Sequence, residues 1–158
     1  MITARLYISL LSDDDHAFIT ELVNTKGWIE FIGDRNIHTT EAALAYINKI
    51  NSNPNITYWV VRLGNNNVPI GVVSFIKRDY LDSPDIGFAF LPQYAGHGYA
   101  FEAASAVLSS VTKENPRILA TTIPHNVNSI KLLKKLGFSF EKEIEAENEK
   151  LHVYAHTV

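Results

Sequence analysis

The chain has no cysteine and one methionine in 158 residues. That removes a disulfide framework, a thiolate metal site and a cysteine nucleophile. It also lacks a basic excess: 14 lysines and arginines stand against 17 acidic residues, a formal net charge of −3. A general nucleic-acid binder carries the opposite balance, so no nucleic-acid partner is expected. Apolar runs are short, and none approaches the roughly 18 residues of a membrane span. The opening Met1-Ile2-Thr3-Ala4-Arg5-Leu6 has no charged start followed by a long apolar stretch, so it does not read as a signal peptide. A cytoplasmic protein without a membrane partner is expected. No repeat, linker or low-complexity tract breaks the chain. What is present is 46% hydrophobic and 20% charged residues, an ordinary balance for one globular domain spanning 1–158.

Periodicity gives the order of elements. Thr3 to Leu10 suits a first strand. Ser12 with Asp15 three residues on suits a helix start, and Phe18, Ile19, Leu22 and Val23 follow at helical spacing. Gly27 is expected to end that segment. Trp28 to Ile32 forms an apolar cluster before Gly33. A helix from about Thr39 carries Ala43, Tyr46, Ile47 and Ile50 and stops at Asn53-Pro54. Ile56 to Leu63, Val68 to Lys77 and Asp85 to Phe90 read as strands, the first two joined by a Gly64–Asn67 turn. Beyond a glycine-containing loop, Ala100 to Val111 has a helical face. Arg117 to Ile123 is a strand, Asn126 to Leu136 a helix ended by Gly137, and Phe138 to Ile144 and Leu151 to Thr157 two closing strands. Strands and helices interleave through one compact length, which indicates a mixed-sheet α/β or α+β domain.

The most informative segment is Gln93-Tyr94-Ala95-Gly96-His97-Gly98, between a strand and a helix. Two glycines permit positive φ and close backbone approach, and the following helix offers free N–H groups. Together these suit a pyrophosphate without any long basic side chain. A P-loop needs Lys-Ser or Lys-Thr after the second glycine, where Tyr99-Ala100 stands. A dinucleotide fingerprint starting at Gly96 ends on Phe101 instead of glycine or alanine. An ordinary strand-to-helix turn explains the loop taken alone equally well.

The loop matches the Q/R-x-x-G-x-G/A pattern of the GNAT superfamily of N-acetyltransferases at each specified position. DIGFAFLPQYAGHGYAFEA, Asp85 to Ala103, resembles that family's central strand, loop and helix. Its Ile-Gly and Gly-Tyr-Ala-x-Glu-Ala resemble the branch that acetylates ribosomal-protein N-termini and related amines. Downstream, Asn126-Val127-Asn128-Ser129, then Leu132-Leu133 and Lys135-Leu136-Gly137-Phe138, resembles the family's N-x-x-S/A…K-x-G-F helix. The resemblance implies a mostly antiparallel mixed sheet of six or seven strands flanked by helices, and acetyl-coenzyme A as cosubstrate. It places the cofactor beside the Asp85–Leu91 strand, with Phe90 and Leu91 pairing to the pantetheine arm. The N–H groups of Gln93, Tyr94, Ala95, Gly96, His97, Gly98 and Tyr99 would hold the pyrophosphate, and Asn126 the pantetheine. Gly87, a glycine within a strand, suggests a bulge or a close backbone approach.

The implied reaction is attack of a neutral amine on a thioester carbonyl. Proximity and N–H groups near Phe88 to Phe90, aimed at the developing oxyanion, would supply most of the rate. Ser129 is the first candidate near the departing thiolate; the other reading is a first-turn hydroxyl bonded to backbone. Many family members carry a tyrosine acid seven residues after the asparagine, and Leu133 occupies that position here. Asp85 and Glu30 are candidate bases. An exposed Asp85 would keep an ordinary carboxylate value, which favours a solvated strand end. Glu30 is either an acceptor-pocket wall or a surface helix residue. His97 suits solvent or phosphate contact. Lys131, Lys134 and Lys135 mark a solvated helix face, with one able to approach the 3′-phosphate. Glu141 to Glu149 reads as a solvated turn. No metal site is expected. His152 and His156 share a strand face but lie about 13 Å apart along it, too far to bind one ion directly. A non-catalytic acyl-coenzyme A binding module and a nucleotide-binding oxidoreductase are the competing readings. The acceptor is a primary amine, of a protein N-terminus or a small molecule. A homodimer is conceivable through exposed aromatics such as Trp28 and Phe31.

Overall fold

The computed structural model describes residues 1–157. In chain order the strands are β1 (Leu6–Leu10), β2 (Ile56–Leu63), β3 (Pro69–Ile76), β4 (Asp85–Phe90), β5 (Arg117–Thr122), β6 (Ser139–Ala146) and β7 (Glu149–Thr157). The helices are α1 (His16–Val23), α2 (Lys26–Phe31), α3 (Thr40–Asn51), α4 (Tyr99–Val111) and α5 (Val127–Lys135). The seven strands form one sheet in the order β1-β2-β3-β4-β5-β7-β6. Every neighbouring pair is antiparallel except β4 and β5. This is the expected mixed, mostly antiparallel sheet flanked by helices.

Successive strand residues alternate between two cores, as a pleated strand covered on both faces requires. Val61 and Val73 join Leu6, Ile8, Ile86 and Ile118 beneath Ala103, Ala104 and Val107 of α4 and Leu133 of α5. Val60 and Val72 face the other way, onto Phe18, Ile19, Leu22, Trp28, Ala43 and Ile47 of α1 to α3. Helix starts follow local chemistry. Thr39 caps α3, its hydroxyl accepting from the Ala42 N–H at 3.1 Å. Ser12 donates its N–H to Asp15 Oδ2 at 2.9 Å, and buried Asp15 pairs with Arg62.

Three expectations change. The first strand begins at Leu6, because Thr3 turns back and its N–H donates to the Leu6 carbonyl at 2.9 Å. Gly27 does not end a helix. Helix α1 stops at Val23, Thr25 caps a new helix, accepting from the Trp28 N–H at 3.3 Å, and Gly27 lies in its first turn. Trp28 is only 4% exposed and belongs to the core, so it is no dimer contact.

Candidate functional site

The two central strands are where the sheet opens. β4 and β5 pair in parallel only at Asp85 and Leu119. Beyond that point β4 stays paired to β3 out to Phe90, and β5 to β7 out to Thr122. The facing edges of residues 87–90 and 120–122 are therefore unpaired with each other inside an otherwise continuous sheet. The Leu91 N–H donates to the Ile70 carbonyl at 2.8 Å, and β3 and β4 keep register without a bulge. Antiparallel alternation then turns the N–H and C=O groups of Phe88 and Phe90 toward the gap. An extended ligand with amide groups can pair with such an edge as an added strand would. Leu91 differs from its expected role: its N–H is held by Ile70 and its carbonyl accepts from Tyr94 at 3.1 Å.

Each opened strand runs into a helix at its C-terminal end. From β4 the chain passes through a 3₁₀ turn, Pro92–Tyr94, to the glycine loop. Gly96 has φ +80° and Gly98 φ +79°, the left-handed region that favours glycine. Among the described residues the N–H groups of Gly96, His97 and Gly98 donate to no protein acceptor. Those of Tyr94 and Ala95 are taken by Leu91 and Pro92. The first-turn N–H groups of Tyr99 and Ala100 add further donors at the start of α4, where the helix dipole also favours an anion. A Cβ built on Gly96 meets nothing within 4 Å, so this glycine answers to backbone conformation and open space alone. His97 stacks on Tyr99 with ring centroids 5.5 Å apart, its Nδ1 2.9 Å from the Ala95 carbonyl. Gln93 lies exposed in the turn. The donors present fit a pyrophosphate, and the gap fits an amide-bearing arm.

Two other glycines set close approaches. A Cβ on Gly71 of β3 would lie 2.3 Å from the Phe90 ring, and one on Gly87 would lie 2.7 Å from Ser74 Oγ. Gly87 is thus a close approach and not a bulge.

From β5 the chain runs through Ile123–His125 to Asn126, which caps α5: its Oδ1 accepts from the Ser129 N–H at 3.3 Å. The Asn126 amide NH₂ and the Ser129 hydroxyl have no protein partner among the described residues. Leu133, where a tyrosine is expected from the family, is 1% exposed and packs in the core under the sheet. A leucine there has no proton to give.

The two candidate bases, Asp85 and Glu30, occupy different places. Asp85 is not a solvated strand end. It is 4% exposed, and the Arg78 Nε donates to both its oxygens at 3.1 and 3.2 Å. Burial pushes the Asp85 carboxyl above its ordinary value, while the Arg78 guanidinium and Thr121 pull it back. With both oxygens on Arg78, Asp85 anchors the base of the gap. Glu30, exposed on α2, lines a cavity of about 530 Å³ with Ile123, Pro124, His125, Glu149 and Lys150. The His125 ring lies 5.5 Å from Phe31. This cavity adjoins the segment leading to Asn126. Glu149, exposed as expected but the first residue of β7 and not part of the turn, is one of its walls. Arg78 and the cavity residues of β7 carry no local sequence signal, because only sheet order brings them here.

The family model described as an acetyltransferase (GNAT) domain matches residues 5–139. The chain is similar to the uncharacterized N-acetyltransferase YnaD of Bacillus subtilis (strain 168), 32% identical over 162 residues, covering 99% of this chain and 94% of that protein. Among solved structures it is similar to a GNAT-family acetyltransferase from Bacillus anthracis, with 28% identity, a TM-score of 0.82, and 99% and 97% of the two chains covered. It shares its fold with RimL, a ribosomal L7/L12 α-N-protein acetyltransferase in complex with coenzyme A, at 14% identity and a TM-score of 0.85, covering 100% and 97%. The opened parallel pair and the free N–H groups beyond it thus have their counterpart in sequence: the chain belongs to the GNAT family of acetyltransferases, enzymes that use acetyl-coenzyme A.

Proposed function

We propose that this enzyme N-acetylates a primary amine, on a flexible protein N-terminus or a small molecule, by direct attack on acetyl-coenzyme A in a ternary complex in the cytoplasm. The observation that carries the reading is the β4–β5 gap with its two edges free and the glycine loop at its mouth. The Phe88 and Phe90 backbone groups hold the pantetheine arm and face the thioester carbonyl, where a fixed N–H favours the developing oxyanion over the ground state. Gly96, His97, Gly98 and Tyr99 hold the pyrophosphate. Asn126 has a free amide NH₂ to donate to the arm.

The acceptor enters from the cavity lined by Glu30, His125 and Glu149. An amine is protonated in water and must lose a proton before attack. Glu30 and Glu149 have no ion-pair partner among the described residues, so their carboxylates are free to accept hydrogen bonds from a substrate ammonium. Glu30, open to the cavity, is better placed to take that proton than Asp85, whose oxygens Arg78 holds. The Ser129 hydroxyl, unengaged at the start of α5, donates to the departing thiolate. The protein N-terminus reading draws on the Asp85–Ala103 sequence match and on the fold shared with the ribosomal enzyme.

Calorimetric titration with acetyl-coenzyme A, against NADH as control, tests the site. Saturable binding of the first alone is expected, and Gly96→Val should abolish it, since a β-branched residue is strained at φ +80°. Unchanged affinity in that variant removes the loop from the site. An amine panel that includes N-terminal peptides and small amines, read by thiol release, then separates an enzyme from a binding module.

A further inference from the structure

Arg5, just before β1, reaches across the molecule to the glycine loop. Its Nε donates to Glu102 Oε1 at 2.8 Å, and its backbone N–H to Glu102 Oε2 at 2.9 Å. Thr3 Oγ1 donates to the same Oε2 at 2.5 Å. The Glu102 carboxylate therefore fixes one side of the guanidinium fork. The other side turns to the loop, where Arg5 Nη1 donates to the His97 carbonyl oxygen at 2.8 Å. The guanidinium carbon also lies 4.5 Å from the Tyr99 ring centroid. Arg5 is 46% exposed and Glu102 19%, so as an ion pair alone this contact contributes little stability. Its geometry has another consequence. In a trans peptide the C=O and the next N–H point in opposite directions. Holding the His97 oxygen toward Arg5 turns the Gly98 N–H away from Arg5, and no protein group among the described residues accepts that N–H.

We propose that Arg5 is a positioning residue for acetyl-coenzyme A: by holding the His97 carbonyl it presents the Gly98 N–H to the pyrophosphate and keeps a carbonyl oxygen from facing the anion. This rests on the glycine loop being the phosphate cradle. Glu102 and Thr3 act through Arg5 by fixing the plane of its fork. Lysine cannot replace arginine here, because a single ammonium lacks the planar fork that spans Glu102 and His97 at once.

The test uses Arg5→Gln and Arg5→Lys in the full chain, with coenzyme A itself as the probe. Calorimetry should show affinity about tenfold weaker in both, the scale of one hydrogen bond involving a charged group. In amide-resolved NMR spectra, coenzyme A should shift the Gly98 N–H strongly in the parent protein and weakly in the variants, while the Phe88 and Phe90 amides respond in all three. Affinity unchanged in Arg5→Lys overturns the proposal even if Arg5→Gln does not fold. Loss of the ligand response at Phe88 and Phe90 together with Gly98 also overturns it, since that marks general damage. If the parent protein binds no coenzyme A, the cradle assignment itself falls, a result distinct from either variant's.

Discussion

Ser129 sits in the first turn of α5 with its N–H held by Asn126 and its hydroxyl free. A hydroxyl bonded to backbone would be structural; a free one beside the opened strands is available to donate. Ser129→Ala should lower turnover by roughly 10- to 100-fold, the scale of one hydrogen bond to a charged group, with acetyl-coenzyme A affinity unchanged. Steady-state kinetics with calorimetry separates the two, and an unaltered rate removes Ser129 from the mechanism. Arg78 makes a different kind of test. Arg78→Leu leaves Asp85 buried without its partner and should cost about 3 kcal/mol by denaturant unfolding near neutral pH. The folded-state value of Asp85 then rises further above its unfolded value, so the folded form binds the proton more tightly. The penalty is full above the raised value and shrinks as pH falls through it. A penalty independent of pH would show that Asp85 does not carry the charge.

At the scale of elements, the β3–β4 pair depends on a glycine. A Cβ on Gly71 falls 2.3 to 2.6 Å from the Phe90 ring, too close without movement. Gly71→Ala should destabilise the fold by about 1–3 kcal/mol as the ring is displaced. Because Phe90 borders the gap, the same change should weaken acetyl-coenzyme A binding. Stability loss with intact affinity would show that the strand edge tolerates ring movement. Most elements were legible from periodicity: β2 and β4 fall on the expected residues, and Thr39 starts α3 through its cap. Gly27 misled because a glycine reads as a stop, whereas Thr25 two residues earlier starts a new helix. Asp85 misled for a related reason. A carboxylate at a strand end reads as solvated, and Arg78, seven residues away across a loop, buries it in an ion pair.

At the scale of the molecule, a ligand filling the gap between two halves of a sheet should stabilise the whole domain. Acetyl-coenzyme A at about 100 times its dissociation constant should add about 2.7 kcal/mol. For a chain of this size that is a rise in melting temperature of roughly 5–10 °C. A thermal melt with and without the cofactor checks it, and NADH should give no shift. The sequence by itself determined the order of the strands and of most helices, the glycine loop, the helix beginning near Asn126 and the resemblance to the family, because each is written in residues near one another in the chain. Only the tertiary structure decided that β4 and β5 part after Asp85, that Arg5 holds a loop carbonyl 92 residues away, and that Glu30 and Glu149 share a cavity. These depend on which strands become neighbours and where their pairing stops. Local periodicity does not encode that, because hydrophobic alternation fixes a strand's faces and leaves its edges unspecified.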